Sequence, residues 1–431
     1  MQLLLDLPRP WRYVAFALLG LGLWFVLRWV DQPDESDHEV EIHVKATHLS
    51  SFAVPMLHGT WWKLRVPAAQ VDAEMAMLAG DPDVTEAYVV PQYSLPSADA
   101  NADSCPINTP SYNHHQGYLD PAPSGIDAAA MWRANTRGQQ VWFADVEGGW
   151  NAKHEDLPGD RISHVFGRPV IDASWRAHGT AVLGEIAGRD NDKGVTGIAP
   201  DVERIFTSSI GGEDVADALQ AAAEALRPGD VMLIELQGTG PRGRFVPVEF
   251  WDDNYEAIKA ATDRGVIVVE AAGNGNEDLD WSGFKGKFDT QVRDSGAIMV
   301  GAGGPPRNGF RDREKLDFSN YGARVDVQGW GRMVATLDYG DLQSCKGADR
   351  NYTDRHYTNL FSGTSSASPI VAGAAVLVES YLRTHDKPVM TPHDLRELLR
   401  ATGTPQAGST KKQIGPRPDL ARVLGLIHPN P

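Results

Sequence analysis

The chain has 431 residues, 42% of them hydrophobic and 23% charged, and a formal net charge of −17. That is ordinary globular composition, enough for a large core plus an accessory segment, and an acidic balance without clustered Lys and Arg excludes a nucleic-acid-binding surface. The two cysteines, Cys105 and Cys345, are too few for a zinc ligand set or a disulfide-rich scaffold; they are either separate thiols or, in an oxidising compartment, one disulfide.

The chain opens on an unbroken apolar run at 13–27, which Trp29 and Val30 extend past Arg28. The stretch 13–30 is close to the ~20 residues that span a bilayer. Arg9 and Arg12 precede it, and Asp31, Asp34, Glu35 and Asp37 follow. Basic residues on the near side predict a cytoplasmic N-terminus with everything downstream translocated. No small-residue cleavage pattern follows the run, so residues 1–35 read as an uncleaved signal anchor rather than a signal peptide. The expected location is a membrane-anchored protein whose remaining chain is periplasmic or extracellular.

Residues 36–104 form the next unit. Strand-like stretches at 39–46 and 60–66 precede a helix carried by Val71, Met75, Met77 and Leu78, with Gly80 as its C-cap; a strand at 85–90 follows. Residues 97–104 are rich in Ala, Asp and Asn without apolar periodicity, an exposed linker where proteolysis concentrates. From 105 to 431 lies one long segment. Short apolar runs at 141–146, 231–236, 265–269 and 297–300 read as buried parallel strands. Helical stretches at 215–226 and 255–263 alternate with them, which predicts an α/β fold with a parallel sheet covered on both faces.

Four polar clusters sit where these elements begin or end. Asp145 closes the first strand, and His178-Gly179-Thr180 opens a small-residue helix. Gly273-Asn274-Gly275 follows a strand, and Gly363-Thr364-Ser365 leads into an apolar helix at 370–377. Acyl transfer needs each part. A serine hydroxyl requires a histidine base, and a buried acid fixes that histidine's tautomer. An amide and a helix N-terminal N–H supply donors for the oxyanion. Taken singly, each cluster is more often a cap, a helix start or a turn.

In the order Asp145, His178, Asn274, Ser365, with those local contexts, the chain resembles the subtilases from about Gln116 onward. His178-Gly179-Thr180-Ala181-Val182 through Gly194-Val195-Thr196-Gly197-Ile198-Ala199-Pro200 carries the likeness, as does Gly363 to Pro369, where Ser366 stands in place of the usual Met or Ala. The resemblance implies a subtilisin-like parallel sheet with helices on both faces. It also implies a serine endopeptidase acting on protein or peptide substrates. The alternative is a catalytically silent subtilase fold that binds peptides. An esterase would carry Gly-x-Ser-x-Gly with its histidine last, and here the histidine precedes the serine.

Two places depart from the family pattern. Val146 and Glu147 follow Asp145, where Ser or Thr and then Gly are usual. The substrate-pairing strand reads Glu235-Leu236-Gln237-Gly238 instead of Ser-Leu-Gly. Glu235 there either biases the pocket toward basic or small residues, perturbs the histidine, or turns away to a neighbouring group. Glu277, Asp278 and Asp280 either bias the pocket toward Lys or Arg or form a solvated loop. By resemblance, structural calcium is expected at Asp156 and Asn191 with Gln116 as a third ligand, since hard oxygens suit that ion. Residues 38–96 resemble, through Trp62 to Pro67 and Asp83 to Val90, the small α+β prodomain of subtilases. Such a segment aids folding and then inhibits its own enzyme; an unrelated stalk is the alternative. Self-cleavage in the linker would release the catalytic domain.

Overall fold

The computed structural model describes residues 38–47, 49, 53–57, 59–91, 105–345 and 352–428. The membrane stretch at 13–30 and the linker at 97–104 lie outside them. The chain divides into two units, Met1–Val90 and Pro91–Pro431.

In the first unit, β1 (Glu39–Ala46), β2 (Val54–Pro55), β3 (Trp61–Pro67) and β4 (Val84–Val89) form an antiparallel sheet in the order β2-β3-β1-β4. The helix α1 (Val71–Ala79) ends on Gly80 as expected. Its Leu78 joins Ile42, Val44, Leu64 and Val66 in a small core of the unit's own. Alternation along the strands puts those residues on one face, which the helix covers.

The second unit is built on seven parallel strands. They are β5 (Trp142–Glu147), β6 (Ile162–Phe166), β7 (Arg204–Ser209), β8 (Val231–Ile234), β11 (Ile267–Ala271), β12 (Ile298–Gly303) and β13 (Val327–Trp330), in the order β13-β12-β11-β8-β5-β7-β6. Two small antiparallel pairs stand apart: β9 (Gln237–Thr239) with β10 (Phe245–Pro247), and β14 (Val334–Leu337) with β15 (Tyr357–Phe361). Every residue of β8, β11, β12 and β13 is buried, as largely apolar strands covered on both faces require.

The helices are α2 (Ala128–Arg133), α3 (Ala173–Ala187), α4 (Val215–Glu224), α5 (Asp252–Asp263), α6 (Thr364–Thr384), α7 (Pro392–Thr402) and α8 (Leu420–Ile427). α6 packs across β8, β11, β12 and β13 and against α3, while α4 and α5 pack on each other and on the sheet. α6 is long and apolar enough to cross a membrane, yet it is wholly buried within the unit; it is a core helix. Because β5, β8 and β11 are neighbours and parallel, the loops leaving their C-terminal ends converge at one edge of the sheet, where sites of such folds form.

Candidate active site

The strand β5 continues two residues beyond Asp145, to Glu147. Residues two apart on a strand share a face, so both carboxyls point the same way, and Glu147 is the one at the strand's exit. Its Oε2 lies 2.5 Å from Nδ1 of His178, and its Oε1 accepts the Gly148 N–H at 2.8 Å. Glu147 and His178 are both fully buried. Asp145, expected from the sequence to hold the histidine, does not: its Oδ2 accepts the indole N–H of Trp150 at 2.7 Å, and its Oδ1 has no partner. Burial foremost, then the charge of Glu147, pushes the Asp145 carboxyl well above the usual carboxylate range. The sequence signal for Glu147 is the pair Gly148-Gly149, which marks the strand's true exit.

His178 sits on the second turn of α3, whose N-cap Asp172 accepts the Ser174 N–H. The ring stands edge-on to Phe361 with centroids 5.4 Å apart, and Nε2 has no hydrogen-bond partner. Gly179 permits this seating: a Cβ there would fall 2.3 Å from the Gly149 carbonyl oxygen and 2.8 Å from Cγ of Glu147.

Ser365 is the second residue of α6, behind an N-cap Gly363 at φ 114°, which only glycine adopts readily. Asn274 follows β11. Its Oδ1 accepts the Thr364 N–H at 2.9 Å, which fixes the amide and leaves its Nδ2 for a ligand oxygen. The backbone N–H of Asn274 is held in turn by Oε1 of Gln237 at 2.8 Å. Asn320, which the sequence did not single out, laces the same loop: it donates to Ala272 O at 2.6 Å and accepts from Gly275 and Glu277 N–H at 3.0 and 2.8 Å.

The four residues expected to touch substrate have partners of their own. Glu235 is 2% exposed and turns into the interior, with Oε1 2.6 Å from the Ser368 hydroxyl; it is not a pocket wall. Leu236 is core, Gln237 supports Asn274, and Gly238 lies against the Trp251 ring, where a Cβ would come within 2.3 Å. Glu277 is buried beside Arg244 and Arg242, at 3.3 and 3.6 Å, so its charge is spent on arginines.

Asp156 and Asn191 do meet, but as donor and acceptor. Asn191 Nδ2 donates to Asp156 Oδ1 at 3.0 Å, and Val195 N–H donates to Oδ2 at 2.8 Å. Gln116 is elsewhere engaged, with its amide bonded to both backbone groups of Thr196 and to Tyr118. Lys193 stands in the same loop, 3.3 Å from Glu155. Both oxygens of the one carboxylate already accept N–H groups, so this donor set does not fit a calcium ion. Cys105 and Cys345 form a disulfide with Cα atoms 4.5 Å apart.

A model of the subtilase family matches residues 160–416. The match takes in His178, Asn274 and Ser365 and begins after β5. Subtilisin BL of Lederbergia lenta is 30% identical over 290 residues, covering 67% of this chain and 91% of its own. An intracellular serine protease of Paenibacillus polymyxa is 28% identical, covering 67% and 81%. Among solved structures, the epidermin leader peptide processing serine protease of Staphylococcus aureus aligns with a TM-score of 0.61 at 17% identity, over 92% of this chain and 100% of its own. Fervidolysin of Fervidobacterium pennivorans aligns with the same score at 20% identity, over 93% of this chain and 63% of its own.

Proposed function

The chain belongs to the subtilase family and is a subtilisin-like serine endopeptidase, and we propose that its triad is Glu147, His178 and Ser365, with a glutamate where the aspartate was expected. The 2.5 Å contact between Glu147 and His178 Nδ1 carries this reading. With Nδ1–H held by Glu147, the imidazole presents unprotonated Nε2 to take the Ser365 proton as Oγ attacks the peptide carbonyl. Glu147 then stabilises the imidazolium. The developing oxyanion is met by Nδ2 of Asn274 and by N–H groups at the start of α6. His178 returns its proton to the leaving amine, and water repeats the sequence to free the acyl-enzyme. With all the chemical groups present, the silent-fold reading has no support.

Glu147→Gln would keep the shape but present the wrong tautomer, with an expected loss of about 10⁴ in kcat, the scale for a neutralised triad acid. Asp145→Asn is expected to cost less than about tenfold, a margin set by its lack of contact with the imidazole. Peptide hydrolysis and fluorophosphonate labelling of the two variants check this; the reverse ranking overturns the assignment of Glu147.

The remaining reading concerns processing. The N-terminal stretch acts as a membrane anchor, residues 38–96 as an inhibitory prodomain, and self-cleavage in 97–104 frees the catalytic unit outside the cytoplasm. Its supports are the order of segments along the chain, the separate core of the first unit, and a disulfide suited to an oxidising compartment. Wild-type protein is expected to yield a soluble fragment beginning near 97–104, and Ser365→Ala to remain full-length in the membrane fraction. N-terminal sequencing of both decides; a wild-type chain that stays whole and membrane-bound overturns it.

A further inference from the structure

Around the proposed triad lies a set of buried carboxyls with no arginine or lysine partner. Asp145 and Glu147 come from β5, Glu185 from α3, and Glu235 from the end of β8; none is more than 2% exposed. Among the described residues, no ion pair joins any of them to an arginine or lysine, and His178 is their only cation-forming neighbour. Both oxygens of Glu185, one of Asp145 and Oε2 of Glu235 make no well-formed hydrogen bond.

The Ser368 hydroxyl reports the state of Glu235. Its oxygen is 2.6 Å from Glu235 Oε1 and 2.7 Å from the carbonyl oxygen of Thr364, one turn earlier in α6. A serine hydroxyl has one hydrogen, and a carbonyl has none to give. Either Ser368 shares its one hydrogen between the two acceptors, a weaker three-centre arrangement, or it donates fully to Thr364 while Glu235 donates its own O–H to Ser368; two full bonds need the second. The surroundings agree: burial foremost, with Asp145 and Glu147 adding to it, pushes the Glu235 carboxyl well above the usual carboxylate range. Ser365 is a near neighbour of the same carboxyl, but Oε2 of Glu235 makes no well-formed hydrogen bond to it, and His178 Nε2 likewise stands without a partner.

We propose that Glu235 is a positioning residue for the nucleophile that works as a neutral, proton-carrying carboxyl: through Ser368 it clamps the first turns of α6, and it leaves the Ser365 hydroxyl to His178. Loss of its proton turns it into a carboxylate that takes the Ser365 hydroxyl in a charge-assisted bond, about twice as strong as a neutral one, and so withdraws the nucleophile from its base. Activity then falls as pH rises through the ionisation of Glu235. The groups around it are Asp145 and Glu147 on β5, Glu185 on α3, and Ser365 and Ser368 on α6; burial and these acidic neighbours together favour its protonated form. This inference rests on the triad proposed above.

Two measurements test it. In pH profiles of kcat/KM, Glu235→Gln, which mimics the neutral carboxyl and cannot ionise, should shift the alkaline fall upward by about one unit or more, which is at least about tenfold in relative rate on that limb. In infrared difference spectra of inactive Ser365→Ala protein, adding Glu235→Gln should remove a protonated-carboxyl band present at neutral pH. Superimposable profiles, a folded Glu235→Gln protein with no activity at any pH, or no such band would each overturn the proposal. Failure of the triad reading is separately visible as absent fluorophosphonate labelling of wild-type protein, which leaves the infrared result unaffected.

Discussion

At Gly179 a single hydrogen atom decides how near the base can come to its acid. The space a Cβ would need is already filled by the Gly149 carbonyl and the Glu147 side chain. Gly179→Ala is therefore expected to lift α3 off the exit of β5, at a packing cost of about 1–3 kcal/mol. Turnover should drop far more than stability does, because a displacement of about 1 Å at a reacting group can cost on the order of 10² in rate. Thermal melts alongside kcat separate the two effects; an Ala variant with wild-type turnover would show that the contact is slack. His178, Asn274 and Ser365, the residues of the proposed site other than its acid, were singled out from local motif and order. The carboxylate that contacts the imidazole was not, because Asp145 and Glu147 share one strand face and differ only in which one the strand end presents to the imidazole. Glu235 was left open by the sequence between a pocket wall and a turn toward a neighbouring group, because side-chain direction there is settled by packing against α6; it turns to Ser368.

Elements were legible to within a few residues where apolar period and caps agreed, as in β1 and α1. α3 and α6 both begin earlier than the sequence suggested. In α3 five residues without an apolar period, Ala173 to Ala177, precede His178 in the helix, and in α6 Pro369 imitates a helix start while lying inside the helix. The loop that joins α3 to β7 is the other place where pattern and structure part. Asp156 is tied to Asn191 and Val195 directly, so chelator is expected to leave the melting temperature of Ser365→Ala protein unchanged. Asp156→Ala should still destabilise it by about 1–3 kcal/mol, the cost of stranding buried donors. A melting point that falls in chelator and recovers with calcium would show that the loop rearranges around the ion.

Across the whole molecule, buried acids held above their usual range outnumber what the formal charge suggests. Asp145, Glu185, Glu235 and Glu270 are all raised chiefly by burial, and Glu379, beneath the turn at Met390, is raised to about 8. Each binds a proton in the folded state that the unfolded chain has released, so each contributes stability at low pH that is lost as pH rises from the unfolded value through the folded one. For Glu379 that window runs from 4.5 to about 8. The urea midpoint of Ser365→Ala protein should accordingly fall between pH 5 and pH 8, on the order of a few kcal/mol for a shift of this size. Glu379→Gln should flatten part of that slope; a midpoint that climbs over the same range would contradict it. The bond between Cys105 and Cys345 has a further, purely topological effect. It closes a covalent ring of chain that contains Glu147, His178 and Asn274, while Ser365 lies on the tail beyond it. A protease is its own nearest substrate, and a single nick within that ring opens the loop without severing it. The two halves of the constellation stay tethered, and the damaged molecule keeps its pieces.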